Sequence, residues 1–152
     1  MFRIRVFAPA LTYAHDSLDA VGELVIGNAR QHFRLDLRAW SIADYERQWK
    51  AGVSRLLYGA PSSALMSSFR GDDEAPHLLW ALWREAGFVY VQPQCLLQRE
   101  LSSAFDPYAP YEYVGARLPA TEQALPIAEW RVELEQLYAN AFDIRWPPPF
   151  GQ

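Results

Sequence analysis

Phe2, Ile4 and Val6 alternate with Arg3 and Arg5, a period of two that predicts a half-buried strand ending at Pro9. Further on, Leu24 and its apolar neighbours run into the turn dipeptide Gly27-Asn28, and Phe33, Leu35 and Leu37 then alternate with Arg34 and Asp36. That pattern is a hairpin. Residues 12–20, with His15, Asp16 and Asp19, fit a loop or a short helix equally well. At Trp40 the period changes. Ile42, Tyr45, Trp49, Val53 and Leu56 recur at spacings of three and four, while Arg47, Lys50, Ser54 and Arg55 fall mostly elsewhere, so residues 42–58 read as an amphipathic helix. Ser41 with Asp44 three residues on is an Asp version of the capping box, and Gly59 followed by Pro61 stops the helix. Closed at both ends and with two aromatics on its inner face, it is expected to dock on a sheet and seed the core.

After the helix, residues 63–69 form a short strand candidate, and Gly71-Asp72-Asp73-Glu74-Ala75-Pro76 is an exposed acidic loop. Two apolar runs, residues 78–83 and 88–97, flank Arg84-Glu85-Ala86-Gly87 and predict a second hairpin. Pro93 cannot donate to a ladder, which places it at an edge or a bulge. Residues 105–113, FDPYAPYEY, are a loop rich in Pro and Tyr; residues 127–132 read as a last strand anchored by Trp130, and residues 134–142 as a closing helix. The expected fold is α+β: one domain over residues 1–145, mainly an antiparallel sheet of about five or six strands. The long helix packs on a face of that sheet, and the Pro-rich residues 146–152 form an extended tail carrying Trp146 and Phe150.

Composition narrows the class. With 152 residues, 51% hydrophobic and 14% aromatic, the chain can bury a core without disulfides, and its aromatic content leaves rings over for a partner. No apolar run nears the ~18 residues of a membrane span and no signal segment is evident, so neither a membrane nor export is expected. The single Cys95 cannot form an internal disulfide and fits a reducing compartment, read as the cytoplasm. The net charge of -4 is unevenly spread: residues 1–59 carry 8 Lys and Arg against 6 Asp and Glu, residues 60–152 carry 6 against 12. An acidic second part disfavours nucleic acid and favours a basic protein partner.

Tests for catalysis fail in turn. There is no phosphate-binding glycine loop, Gly-x-Ser-x-Gly elbow, His-Glu-x-x-His or Cys-x-x-Cys. Cys95 with His15, His32 or His77 would make a small hydrolase, but the apolar run QCLL reads as a buried structural thiol. Asp72, Asp73, Glu74 and His77 match no named metal loop and read as a solvated charged segment; no cofactor is expected. Glu129 beside Trp130 reads as an ion-paired carboxylate rather than a general acid. Trp80 and Trp83 point to opposite faces of a strand, so either one is half exposed or the hairpin is covered on both sides. Tyr108, Tyr111 and Tyr113, spaced by Pro107 and Pro110 beside Asp106 and Glu112, either anchor a partner or pack down over the sheet edge.

The run WSIADYERQW, followed by Arg55-Leu56-Leu57, resembles the signature of the immunity proteins of bacterial contact-dependent growth inhibition systems. WALWREAGFVYVQPQCLL resembles that family's Trp-rich hairpin, FDPYAPYEYVGAR its Pro and Tyr loop and PIAEWRV its closing strand, in the family's order over most of residues 22–138. Pro93 and Ala128 depart from the pattern, where a hydrogen-bonding residue and a Ser are usual. The resemblance implies an inhibitor rather than an enzyme. Such a protein forms a 1:1 complex in the cytoplasm with the C-terminal toxin domain of an adhesin, commonly a nuclease and often one that cuts tRNA. Ser41, Tyr45, Gln48, Trp49 and Trp130, which this chain shares with the family, are then structural, and recognition resides where members differ. The expected toxin-binding residues are Asp72, Asp73, Glu74, Glu85, Asp106 and Glu112, pairing with basic toxin groups, with Tyr108, Tyr111 and Tyr113 as anchors. The alternatives are an immunity or adaptor protein of another secretion system and the small hydrolase; self-association stays open.

Overall fold

The structure, a computed structural model, describes residues 1–8, 19–72, 74–124 and 127–141. Strands β1 (Phe2–Ala8), β2 (Asp19–Ile26) and β3 (Ala29–Asp36) form an antiparallel sheet in chain order. Its inner face buries Phe2, Ile4, Leu24, Ile26 and Leu35, while Arg3 and Arg5 alternate to the other side, as the period of two predicts. The expected hairpin turns at Gly27-Asn28. Strand β2 begins at Asp19, so the end of the ambiguous stretch is strand; Pro9 and residues 12–18 lie outside the described residues.

Helix α1 (Ile42–Leu57) starts where the capping box places it. The Ser41 hydroxyl accepts from the Asp44 N–H, and the Asp44 carboxylate accepts from the Ser41 N–H at 2.9 Å. At the other end the Leu56 carbonyl accepts both from the Gly59 N–H and, at 2.8 Å, from Arg84 reaching across, so a carbonyl of the last turn is doubly held. Gly59 has φ +102°.

The second sheet is antiparallel and orders β4 (Ser62–Ser68), β5 (His77–Glu85), β6 (Phe88–Leu96) and β7 (Trp130–Glu133), followed by α2 (Leu134–Ala141). The α+β class holds, with the strands shared between sheets of three and four. Phe142 and the tail lie outside the described residues. The β5–β6 turn is Ala86-Gly87, with φ of 50° and 83°, the paired positive values of a two-residue turn that follows strand twist. Trp80 and Trp83 are both buried, so the hairpin is covered on both sides.

Helix α1 does more than cover apolar side chains. The Gln48 amide donates to the Ala64 carbonyl at 2.9 Å and accepts from the Met66 N–H at 2.7 Å, the pair of bonds a neighbouring strand would make. Trp49 donates to the Met66 carbonyl, the Ser63 hydroxyl to the Gly52 carbonyl, and the Tyr45 hydroxyl accepts from the Phe69 N–H while donating to the Asp36 carbonyl. Tyr45 thereby ties the end of the first sheet to the end of the second. The contact is close enough that a Cβ at Gly52 would lie 2.6 Å from the Ala64 carbonyl oxygen and 2.5 Å from Leu65. Burying β4 on both faces, residues 63–68, would otherwise leave polar backbone without partners.

Pro93 falls in the pair with Trp80. Counting from the turn-closing pair Glu85 and Phe88, hydrogen-bonded pairs alternate, and Trp80–Pro93 is one of the non-bonded ones. The proline nitrogen therefore faces the β7 side, and β7 pairs only as far as Val91. Position 93 thus has the edge character expected of it. The last strand is also shorter than residues 127–132: the ladder cannot continue across a residue with no N–H.

Candidate functional site

Two loops meet at one end of the molecule over a cluster of rings. Phe69, just after β4, lies against Trp40 at 5.5 Å and His77 at 6.0 Å between ring centroids. Phe105 stacks on His77 at 4.2 Å with planes 11° apart, and Tyr113 packs on Phe105 at 4.8 Å. Gln98 holds the second loop to this stack, accepting from the Phe105 N–H and donating to the Ser103 carbonyl, with the His77 ring 3.2 Å from its oxygen. The acidic loop after Phe69 and the Pro and Tyr loop after Phe105 are therefore neighbours, which nothing in their sequence separation announces.

Within this frame the expected site residues take different parts. Tyr108 is half exposed, leans on the Trp40 ring at 4.9 Å and donates to Asp44 at 3.2 Å, so the loop is tied to the first turn of α1. Hydrogen bonds from the Ser41 backbone and side chain, with those from Tyr108 and the Arg47 charge, hold the Asp44 carboxyl below its ordinary range against the opposing effect of burial. Tyr111 is half-buried with the Arg55 guanidinium 3.5 Å above its ring. Tyr113 is half-buried too, and its hydroxyl accepts from the Asp106 N–H at 3.0 Å. Of the two readings left open for these tyrosines, packing down describes Tyr111 and Tyr113, and Tyr108 keeps a free face.

Asp72 caps its own loop, accepting from the Glu74 and Ala75 N–H groups; Asp106 does the same for Tyr108. Asp72, Glu74, Asp106 and Glu112 are exposed. Asp73 lies outside the described residues. Glu85 does not join the others. It lies at the far end of β5 from the acidic loop, roughly 26 Å away at strand rise, and binds Arg117 at 3.0 Å. Arg117 also grips Glu129 with two bonds of 3.1 Å and stacks over Tyr90, so Glu129 is the ion-paired carboxylate expected. Burial would raise the Glu129 carboxyl, but hydrogen bonds from Arg117 and Gln92 hold it low.

The buried thiol was the wrong expectation: Cys95 is exposed. Its register partner is Leu78, itself 37% exposed. The two line an open groove of ≈ 210 Å³ with Ser67, Leu79, Trp80, Pro93 and Gln94. His77, adjacent to Leu78 on β5, projects from the opposite face, and His32 is held by Glu23, so neither can serve Cys95 as a base. His15 lies outside the described residues. Asp72, Glu74 and His77 do not form a metal cluster either; none of three or more ligand-type side chains occurs among the described residues. No helix among them is long and apolar enough to cross a membrane.

One constellation escaped the sequence reading. Glu23, 1% exposed, is surrounded on the outer face of the first sheet by Arg3, Arg5, Arg30 and His32 at 3.0–3.6 Å. Burial alone would raise its carboxyl, yet hydrogen bonds from His32 and Arg5 and the charges of Arg5 and Arg30 bring it down to about 2. The signal was present: Arg3 and Arg5, then Arg30, His32 and Arg34, recur at period two on strands flanking Glu23.

Comparison with known proteins gives one fold and one family. The chain is similar to a chain of the CdiA-CT/CdiI toxin and immunity complex from Enterobacter cloacae, with a TM-score of 0.81 and 23% identity over 95% of this chain and 98% of that one. No curated protein matches it. The family model of the CdiI N-terminal domain matches residues 35–140, from the end of β3 to α2, which takes in the capping box, Tyr45, Gln48 and Trp49 of α1, the acidic loop and the tyrosine loop. Since that match spans more than half of the chain, this protein belongs to the CdiI N-terminal domain family.

Proposed function

We propose that this chain is the immunity protein of a contact-dependent growth inhibition system, and that it neutralises a cognate toxin domain by covering the toxin's basic substrate-binding surface. Family membership supports the class. The observation that carries the mechanism is the meeting of the two loops at the Phe69–His77–Phe105 stack, the first bearing exposed Asp72 and Glu74 and the second exposed Asp106 and Glu112 with the half-exposed Tyr108. A half-exposed tyrosine braced by Trp40, its hydroxyl bonded to Asp44 and its backbone N–H to Asp106, has the make-up of an interface anchor. Asp73 belongs to the same loop by sequence, and Tyr111 and Tyr113 shape the support. Glu85, at the far end of β5, would contribute through a second contact only.

The complex is read as 1:1 and cytoplasmic, and the action as binding, not catalysis. A toxin covered in this way would be a nuclease, tRNA being one substrate class, because carboxylates complement a surface built for phosphates. The test is a titration of this protein into the toxin domain encoded beside it, by calorimetry at two salt concentrations, with nuclease activity followed in parallel. The expected result is nanomolar binding that weakens with salt and abolishes cleavage. The triple variant Asp72→Asn, Glu74→Gln, Asp106→Asn should lose about tenfold or more in affinity and flatten the salt dependence. Unchanged affinity in that variant would sink the acidic-surface mechanism while leaving the immunity role.

A further inference from the structure

We propose that the outer face of the first sheet is a second contact surface for the same toxin, taking a carboxylate-bearing segment of it on Arg3, Arg5, Arg30 and His32, with Phe7 as the apolar anchor. The inference rests on the immunity reading and adds a surface of the opposite sign.

Three guanidinium groups and an imidazole converge on one buried carboxylate, which is more than neutralisation needs. Arg3, Arg5, Arg30 and Arg34 stand against Glu23 and Asp19, leaving two positive charges in surplus before His32 is counted. The arginines are 31%, 43% and 60% exposed at positions 3, 5 and 30; Glu23 accepts hydrogen bonds from Arg5 and Arg30, and lies 3.6 Å from Arg3. Arg3 Nε is out of contact with solvent and has no hydrogen-bond partner among the described residues. Guanidinium groups held in place in advance lose little freedom when they bind a carboxylate through two parallel bonds. Beside them Phe7, 49% exposed, stacks on His32 at 4.5 Å with Arg5 over its ring at 5.6 Å. Arginine with an aromatic ring is the composition of a protein hot spot.

The arrangement favours an acidic protein segment over a nucleic acid. The guanidinium groups gather around a point instead of tracking a line of phosphates, and the chain as a whole carries -4, which repels a polyanion at range. Two surfaces of opposite sign also give orientation: a partner must present cations to one and carboxylates to the other, which rejects toxins with a different pattern.

The test uses the full chain with Phe7→Ala and Arg30→Gln combined. Arg5 and His32, each 3.0 Å from Glu23, are retained so that the buried carboxylate keeps its closest donors. The toxin domain is titrated into this variant, with thermal unfolding as the folding control and Arg30→Lys as a second variant. The expected outcome is a folded protein whose toxin affinity falls by about tenfold, with Arg30→Lys intermediate because it keeps charge and loses the fork. Should the double variant fail to fold, Arg30→Lys decides alone: reduced affinity supports the surface, unchanged affinity overturns it. Wild-type affinity in a folded double variant overturns the proposal, and if the acidic-loop variant still loses affinity the immunity mechanism stands without it. If a 20-nucleotide oligouridine binds the wild type but not the double variant, while toxin affinity is unchanged, the face is a nucleic-acid site and the proposal is overturned. No toxin binding by the wild type would remove the immunity reading itself, and this proposal with it.

Discussion

Gln48 is polar, lies mid-helix and is 2% exposed, a combination that apolar periodicity passes over. The spacing of Tyr45, Trp49, Val53 and Leu56 located the buried face of α1 correctly, but the residues that fix its distance from β4 are Gln48 and Gly52, which carry no hydrophobic signal. Replacing Gln48 with Leu should cost at least about 2 kcal/mol, because the Ala64 carbonyl and Met66 N–H would be buried without partners; urea unfolding measures it. At an open helix position Gly→Ala stabilises by up to about 1 kcal/mol. Gly52→Ala should do the reverse, since the new methyl meets backbone at Ala64. Cys95 defies its apolar neighbours in sequence because they do not reveal that its cross-strand partner is Leu78, which is itself partly exposed. It should react fully with a thiol reagent in the folded protein, and a requirement for denaturant would contradict the exposure described.

At the level of elements the sequence was most legible where a local rule closes the structure. The capping box of α1 and both hairpins could be placed because each depends on residues within a few positions of one another, although the second connection, read as the four residues 84–87, is the two-residue turn Ala86-Gly87. Ser41→Ala should cost about 1 kcal/mol, read by thermal or urea unfolding. The β5–β6 turn offers the opposite change: Ala86 has a positive φ that Asn accepts more readily, so Ala86→Asn should gain about 0.5–1 kcal/mol. The short β7 was less legible, because its length is set by Pro93 on a strand some forty residues earlier.

Across the whole molecule, two sheets and two loops are brought together by contacts no local pattern encodes, such as Tyr45 bridging Asp36 and Phe69, or His77 stacked on Phe105. Charge asymmetry was visible in the sequence, but not that the basic part forms one sheet face around Glu23. That carboxyl has a folded pKa of about 2, lowered from 4.5, so its contribution is present in full above 4.5 and is lost as pH falls through 2. The unfolding temperature should therefore drop between those values, and Glu23→Gln should flatten that limb of the profile. A further consequence concerns how the chain survives at high concentration. Because α1 side chains stand in for a strand beside β4, two copies cannot join their sheets along that side; on the stretch of β6 that extends past β7, Pro93 weakens pairing as well. A folding intermediate in which α1 has not yet docked would lack the first of these guards. Refolding yield of Gln48→Leu should accordingly fall more steeply with protein concentration than that of the wild type, through aggregation that its equilibrium stability alone would not foretell.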